Sequence, residues 1–148
     1  QVALNDIVVT KNSLARMIRL ETYIGQELMF EYSADGLIIS SPTGSTAYSL
    51  SAGGPLLHPD LAAIVLTPIC AHSVFSRPRV VKGEEKVRII VRSSHNEMIL
   101  TADGQVGKEL KANDEIIVEK DQYCTRLVRL ERRSFYQIIR HRLREGRL

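Results

Sequence analysis

The sequence predicts a mainly β fold, a twisted two-sheet, sandwich-like domain with one short helix in its middle and one at its C-terminus. Three observations lead there. Apolar and β-branched residues come in many short runs, repeating at a spacing of about 8–12 residues. Gly, Asn, Asp, Ser and Pro cluster between those runs. Only two segments carry helical signals, and neither is long.

The strands follow in order. Ile7-Val8-Val9-Thr10 is β-branched. Arg16 to Ile24 alternates loosely, and Gln26-Glu27 turns the chain into Leu28 to Tyr32. Asp35-Gly36 is a hairpin-type turn signal ahead of Leu37-Ile38-Ile39. Ala63 to Thr67 reads as a buried strand stopped by Pro68. Lys86 to Arg92 alternates well, and Met98 to Thr101, Glu115 to Glu119 and Tyr123 to Leu130 complete the set. Lys82-Gly83, Ser93 to Asn96, Asp103-Gly104 and Asn113-Asp114 are the turns between them.

Thr46 to Ala52 is a short helix, entered from a Pro-Thr-Gly-Ser turn and left at Gly53-Gly54-Pro55. The second helix runs from about Ser134 to Arg144. Ser134 and Gln137 have the spacing of a capping box. Phe135, Ile138, Ile139 and Leu143 share one face.

Composition agrees with one ordinary domain over residues 1–148. The chain is 44% hydrophobic and 25% charged. At this length a fold buries roughly 70% of its unfolded surface and needs no staple. No apolar run approaches the ~18 residues of a membrane helix, so no membrane partner is expected. The opening Gln1-Val2-Ala3-Leu4 has no signal-peptide pattern and no Met, so residues are expected to precede it. Cys70 and Cys124 sit among apolar neighbours and read as reduced core thiols of a cytoplasmic protein. No His/Cys spacing suggests a metal site. The net charge of +3 divides unevenly: residues 126–147 hold eight arginines against two glutamates, a net of +6, and the rest of the chain is at −3. These arginines have no interleaved aromatic series, so they read as a solvated or subunit-contacting face and not as a nucleic-acid site.

Chemistry concentrates between Asp35 and Pro55. A buried strand delivers the small-residue turn Ser40-Ser41-Pro42-Thr43-Gly44-Ser45, which opens a helix. Such a turn converges backbone N–H groups and hydroxyls beside a helix start, and small side chains admit a ligand to the backbone. Tyr48 offers a flat face for a purine, with Thr46 and Ser51 as polar neighbours. From residue types alone, a turn that merely caps a helix fits equally well. The pattern is neither a P-loop nor G-x-G-x-x-G. His58 reads as a structural residue, His72 as a packing or subunit-contact residue, and His95 and His141 as exposed ones.

Ser-x-Pro-Thr-Gly-Ser-Thr-Ala-Tyr-x-x-Ser-Ala-Gly-Gly-Pro resembles the signature of the ATP (or polyphosphate)–NAD kinases. Further pieces agree in order. Asn5-Asp6 is similar to that family's Asn-Glu/Asp motif, and Asp35-Gly36 precedes the signature. His72 with Ser76-Arg77-Pro78, the turn Thr101-Ala102-Asp103-Gly104-Gln105 and Ser134-Phe135-Tyr136 follow it. The resemblance covers essentially the whole chain, as the β-rich, NAD-gripping C-terminal half. The family's Gly-Gly-Asp-Gly, which holds the donor and supplies an aspartate near the reacting hydroxyl, lies in an upstream α/β domain. Here Gly53-Gly54 is followed by Pro55, so that motif is absent.

The resemblance implies NAD as substrate, ATP or polyphosphate as donor, and Mg²⁺ or another divalent cation with the donor. It implies transfer to the adenosine ribose 2′-hydroxyl, in a homo-oligomer whose NAD site lies near subunit contacts. It carries over NAD-binding roles to Asn5, Asp6, Arg16, Ser33, Asp35, Thr46, Ala47, Tyr48, Ser51, Asp103 and Gln105, with Thr43, Gly44 and Ser45 as the supporting turn. No catalytic residue is expected in this chain. Two other readings stand beside it: a non-catalytic NAD(P)-binding module, and a relative of the diacylglycerol and sphingosine kinases.

Overall fold

The computed structural model of the chain describes residues 1–12, 16–72, 77–92, 98–128 and 133–144, except for the side chains of Val106 and Leu143. The strands are β1 (Asp6–Lys11), β2 (Ile18–Ile24), β3 (Glu27–Ala34), β4 (Gly36–Ser40), β5 (Ala63–Ile69), β6 (Arg79–Lys82), β7 (Val87–Val91), β8 (Met98–Ala102), β9 (Gln105–Leu110) and β10 (Glu115–Val118). A 3-10 turn at Gly44–Thr46 precedes the one-turn helix α1 (Tyr48–Ser51), and α2 (Phe135–Arg144) comes last.

Two antiparallel sheets result. One has the order β6-β5-β4-β1-β8-β9 and the other β10-β7-β2-β3. Their facing sides form one core, with Val9, Leu37 and Leu66 from the larger sheet against Leu20, Ile89 and Val91 from the smaller, all fully buried. Arg79 of β6 lies over the Phe30 ring of β3, its guanidinium carbon 3.5 Å from the centroid, and bridges the sheets at one edge. The mainly β, two-sheet expectation holds.

Asp35-Gly36 is not a hairpin turn. β3 belongs to the smaller sheet and β4 to the larger, so the chain crosses between sheets here. Asp35 stays hydrogen-bonded on both sides: its N–H donates to Ile69 O (2.9 Å) and its carbonyl accepts from Lys11 N (3.0 Å). At Gly36 a Cβ would stand 2.6 Å from the Val9 carbonyl oxygen, so close strand approach, not a tight turn, requires glycine. The true hairpin signal is Asp103-Gly104, where φ is +50° and +68° and the turn joins β8 to β9.

Other expectations need correcting. β5 continues through Pro68, because β6 pairs only with Ala63 to Leu66 and the missing N–H faces that open side. Residues 123–128 are exposed and form no strand; the end of the predicted Tyr123 to Leu130 run lies outside the described residues. Among the described residues no strand pairs with it. β6 and β9 were not foreseen: one is four residues long, and the other is polar with a glycine inside. Cys70 and Cys124 are free thiols, but both are exposed, so they are not core residues. Ser93 to Asn96, with His95, and also Ser76 lie outside the described residues.

The capping box closes as expected. The Ser134 N–H donates to Gln137 Oε1 (2.9 Å) and the Gln137 N–H to Ser134 Oγ (3.3 Å). Phe135 meets the ring of His58 edge-on at 4.9 Å, so α2 docks beside the segment that follows α1 and His58 is a packing residue.

Candidate functional site

β4 is buried along all five residues, which alternation on a half-solvated sheet would not produce. Ile38 and Ser40 face away from the core, with Val8, Val65 and Thr67 of the neighbouring strands, and all are buried as well. The signature segment covers this outer face. Ser49 of α1 is 2.8 Å from the Thr67 hydroxyl. Ser45 Oγ donates to the Pro42 carbonyl (2.6 Å) and accepts from the Leu57 N–H (3.0 Å). The expected continuous helix over 46–52 breaks at Ala47, where ψ is −131°. α1 is a single turn, so no helix macrodipole of consequence points at a ligand.

The turn reaches the N-terminal segment directly. The Ser41 N–H donates to the Asn5 carbonyl (2.9 Å), and the Ser41 hydroxyl donates to the Leu4 carbonyl (2.7 Å). That hydroxyl also accepts the Gly44 N–H (3.1 Å). Gly44 packs so tightly on Asn5 that a Cβ would overlap the Asn5 carbonyl. From the opposite side Asp103 takes three backbone donors: Leu4 at 2.7 Å, Asn5 at 2.7 Å and Asp6 at 3.1 Å. Its own N–H returns to the Asp6 carbonyl (2.9 Å). Two loops, one 37 residues beyond Leu4 and the other 98 beyond Asn5, thus hold Leu4, Asn5 and Asp6 between them.

What remains unused is informative. The Asn5 side-chain amide makes no hydrogen bond among the described residues, and the Asp6 carboxylate has no donor there either. Asp6 is 6% exposed and pairs across the strands with Ser40, whose buried hydroxyl also lacks a partner among the described residues. Burial, and then the nearby Asp103 charge, push the Asp6 carboxyl above its ordinary value. Burial also pushes Asp103 upward, but its bonds from the Leu4, Asp6 and Asn5 N–H groups outweigh that and hold it below the usual range.

The linkage signs are opposite. Asp103 contributes stability above its unfolded pKa that is lost as pH falls through its depressed folded value. Ionised Asp6 costs stability above its unfolded pKa, and the cost is relieved as pH falls through its raised folded value. Asp6→Asn is therefore expected to raise the melting temperature at pH 7, with a gain that shrinks on acidification. Thermal unfolding across pH 3–8 checks this, and a lower melting temperature at pH 7 would refute the assignment of Asp6 as an uncompensated buried charge.

The expected site residues fall into two groups. Asn5, Asp6, Thr43, Gly44, Ser45, Asp103 and exposed Gln105 gather where β1 begins and β4 ends. Thr46 follows directly, its hydroxyl donating to the Thr43 carbonyl (3.2 Å), with Ala47, exposed Tyr48 and exposed Ser51 after it. Arg16, Ser33 and Asp35 lie at the opposite end of β1, about 16 Å away at ~3.3 Å per residue. There the Asp35 carboxylate pairs with Lys11 at 2.8 Å, and the His72 N–H donates to the Ser33 carbonyl (3.2 Å). A groove of 1690 Å³ opens at the first end, with Asn5, Asp6, Ser40, Ser41 and Thr43 in its lining; Thr46 to Ser51 are not part of that lining.

Two residues escaped the sequence reading. Ser41 stood in the signature as an unspecified position, yet its hydroxyl fastens the turn to Leu4. Lys11 follows the Ile7 to Thr10 run and carries no signal of its own; only the β1–β4 register places it beside Asp35.

The chain is similar to known proteins along most of its length. The family described as the ATP-NAD kinase C-terminal domain matches residues 4–130. The NAD kinase of Moorella thermoacetica is 53% identical over 144 residues, covering 97% of this chain and 46% of that protein. The NAD kinase of Heliobacterium modesticaldum is 50% identical over 145 residues, covering 98% of this chain and 51% of that one. Yeast NADH kinase, solved in complex with NADH, superposes with a TM-score of 0.74 at 38% identity over 79% of this chain and 34% of its own. An Archaeoglobus fulgidus NAD kinase solved with ATP gives a TM-score of 0.73 at 33% identity over 82% of this chain and 46% of its own. The chain spans about half the length of the curated relatives it matches. It belongs to the ATP-NAD kinase family, as a C-terminal domain of that family.

Proposed function

We propose that this domain grips NAD in a cytoplasmic NAD kinase, which transfers the terminal phosphate of ATP or polyphosphate to the adenosine ribose 2′-hydroxyl and yields NADP. The observation that carries this reading is the two-sided hold on Leu4, Asn5 and Asp6, which leaves the Asn5 amide and Asp6 carboxylate unspent beside the groove. The unpaired Asp6 carboxylate at this end, with the Asp103 charge beside it, suits a neutral group rich in donors, such as ribose hydroxyls and an adenine amino group. The two charges would repel a pyrophosphate. Tyr48 offers its ring to the base, and the Thr46 and Ser51 hydroxyls flank it.

Phosphoryl transfer asks mostly for positioning and charge stabilisation. In this proposal the chain orients the acceptor ribose, and an upstream domain with Gly-Gly-Asp-Gly holds the donor and supplies the aspartate near the hydroxyl. No group of three His, Cys, Asp or Glu among the described residues is placed to hold a metal ion. In this proposal the divalent cation comes with the donor phosphates. Arg16, Ser33 and Asp35 reach the ligand from a second copy, since one copy cannot bring both ends of β1 to the same ribose. That is the role of the homo-oligomer.

The test is calorimetric titration of the complete protein with NAD, with ATP as control, followed by an assay for NADP. Saturable NAD binding with NADP formation is expected. Binding without turnover would favour a non-catalytic NAD(P)-binding module, and no NAD binding would overturn the reading.

A further inference from the structure

We propose that Ser41 and Asp103 are positioning residues that act on the dinucleotide through Asn5 and do not touch it themselves. This rests on the reading of the Asn5 end as the ligand site. The carboxylate of Asp103 is committed to the Leu4, Asn5 and Asp6 N–H groups. It also sits in a turn held at φ +50°. The Ser41 hydroxyl is likewise committed, donating to the Leu4 carbonyl and accepting from Gly44. Together with the Ser41 N–H on the Asn5 carbonyl, these bonds fix the main chain on both sides of the Asn5 side chain.

Irregular segments ahead of a first strand are ordinarily loose. Here the peptide groups at Leu4 and Asn5 are tied to two different loops, so Asn5 meets a ligand already ordered. Preset geometry of this kind spares the ordering cost at binding. It also separates two kinds of residue that sequence comparison cannot tell apart: the Asn5 side chain makes no hydrogen bond among the described residues, whereas Asp103 already accepts three N–H groups and Ser41 has its one hydroxyl donor committed within the protein.

The test is a set of variants of the complete protein: Ser41→Ala, Ser41→Thr, Asp103→Asn and Asn5→Ala, and the doubles of Asn5→Ala with each of the first and third. NAD affinity, KM for NAD, KM for ATP and melting temperature are read for each. Ser41→Ala and Asp103→Asn are expected to raise KM for NAD about tenfold to a hundredfold, with KM for ATP unchanged. Ser41→Thr, which keeps the hydroxyl, restores the wild-type value. In the Asn5→Ala background neither change adds a further loss, because both act through the residue already removed.

A fully additive loss in the doubles would overturn the proposal and make the two residues direct contacts. Unchanged NAD affinity with a lowered melting temperature would overturn it too, leaving a purely structural hold. If the wild-type protein binds no NAD, the functional reading fails and takes this inference with it. Wild-type binding with unaffected variants sinks the inference alone.

Discussion

Gly44→Ala is expected to lower the melting temperature by several degrees and to abolish measurable NAD binding together. The added Cβ would overlap the Asn5 carbonyl oxygen and stand 2.5 Å from its carbon and 2.7 Å from Asn5 Cα. All three are backbone atoms, so no flexible side-chain end can swing aside. Either Leu4 to Asp6 leaves the Asp103 carboxylate and loses its three hydrogen bonds, or the turn lifts off the buried outer face of β4. Overpacking of this kind costs about 1–3 kcal/mol, and each hydrogen bond lost adds about 1 kcal/mol. In a domain of this size each kcal/mol lowers the melting temperature by about 2–8 °C. Gly53→Ala is the control. Gly53 has φ +87° and nothing within 4 Å of its Cβ position, so alanine there strains the backbone without pushing on Asn5. Thermal unfolding and NAD titration of both variants decide the matter. Wild-type affinity in Gly44→Ala would mean that the turn and the Asn5 segment do not form one site.

The strands that alternate cleanly were legible. Lys86 to Arg92 matches β7 to within a residue at each end because one of its faces is core and the other solvent. The capping box at Ser134 was legible because its signal is local. The two Asp-Gly pairs show where local signals end. Asp103-Gly104 makes a hairpin and Asp35-Gly36 a crossing between sheets, and nothing within either dipeptide distinguishes them. The difference lies in which strand comes next, a non-local fact. Cys70 looked buried because Ile69 precedes it, but it sits just past the end of β5 with φ +47° and faces solvent.

The site shows the same division. The resemblance names candidate members but says nothing of their arrangement. The resemblance names both Asp103 and Asp35 as NAD contacts. The fold commits the first to three backbone N–H groups and sets the second some 16 Å away along β1, next to Lys11. Pairing of β1 with both β4 and β8 is what brings Asn5, Ser41 and Asp103 to one end. Such a meeting depends on strand order, which periodicity does not encode.

Tyr48→Ala is expected to weaken NAD binding about 5- to 150-fold while leaving the melting temperature within a degree or two. The side of this prediction that concerns stability follows from exposure. Tyr48 is 48% exposed at the start of a one-turn helix, and surface substitutions of that kind stay within about 0.5 kcal/mol. The affinity side follows from the ring: stacking of a base on an aromatic face is worth about 1–3 kcal/mol when removed by alanine. Tyr48→Phe keeps the face and should keep most of the affinity, which separates stacking from a phenol hydrogen bond. Asp35→Ala supplies the complementary arm. Its carboxylate lies at the far end of β1, and the proposed function has it reach the ligand from a second copy. Its effect on NAD affinity should therefore be present in the oligomer and vanish in protein diluted to monomer, whereas the Tyr48→Ala effect should persist at every concentration at which NAD still binds. Equal loss from Asp35→Ala in monomer and oligomer would place both groups on one ligand within one chain and overturn the second-copy reading.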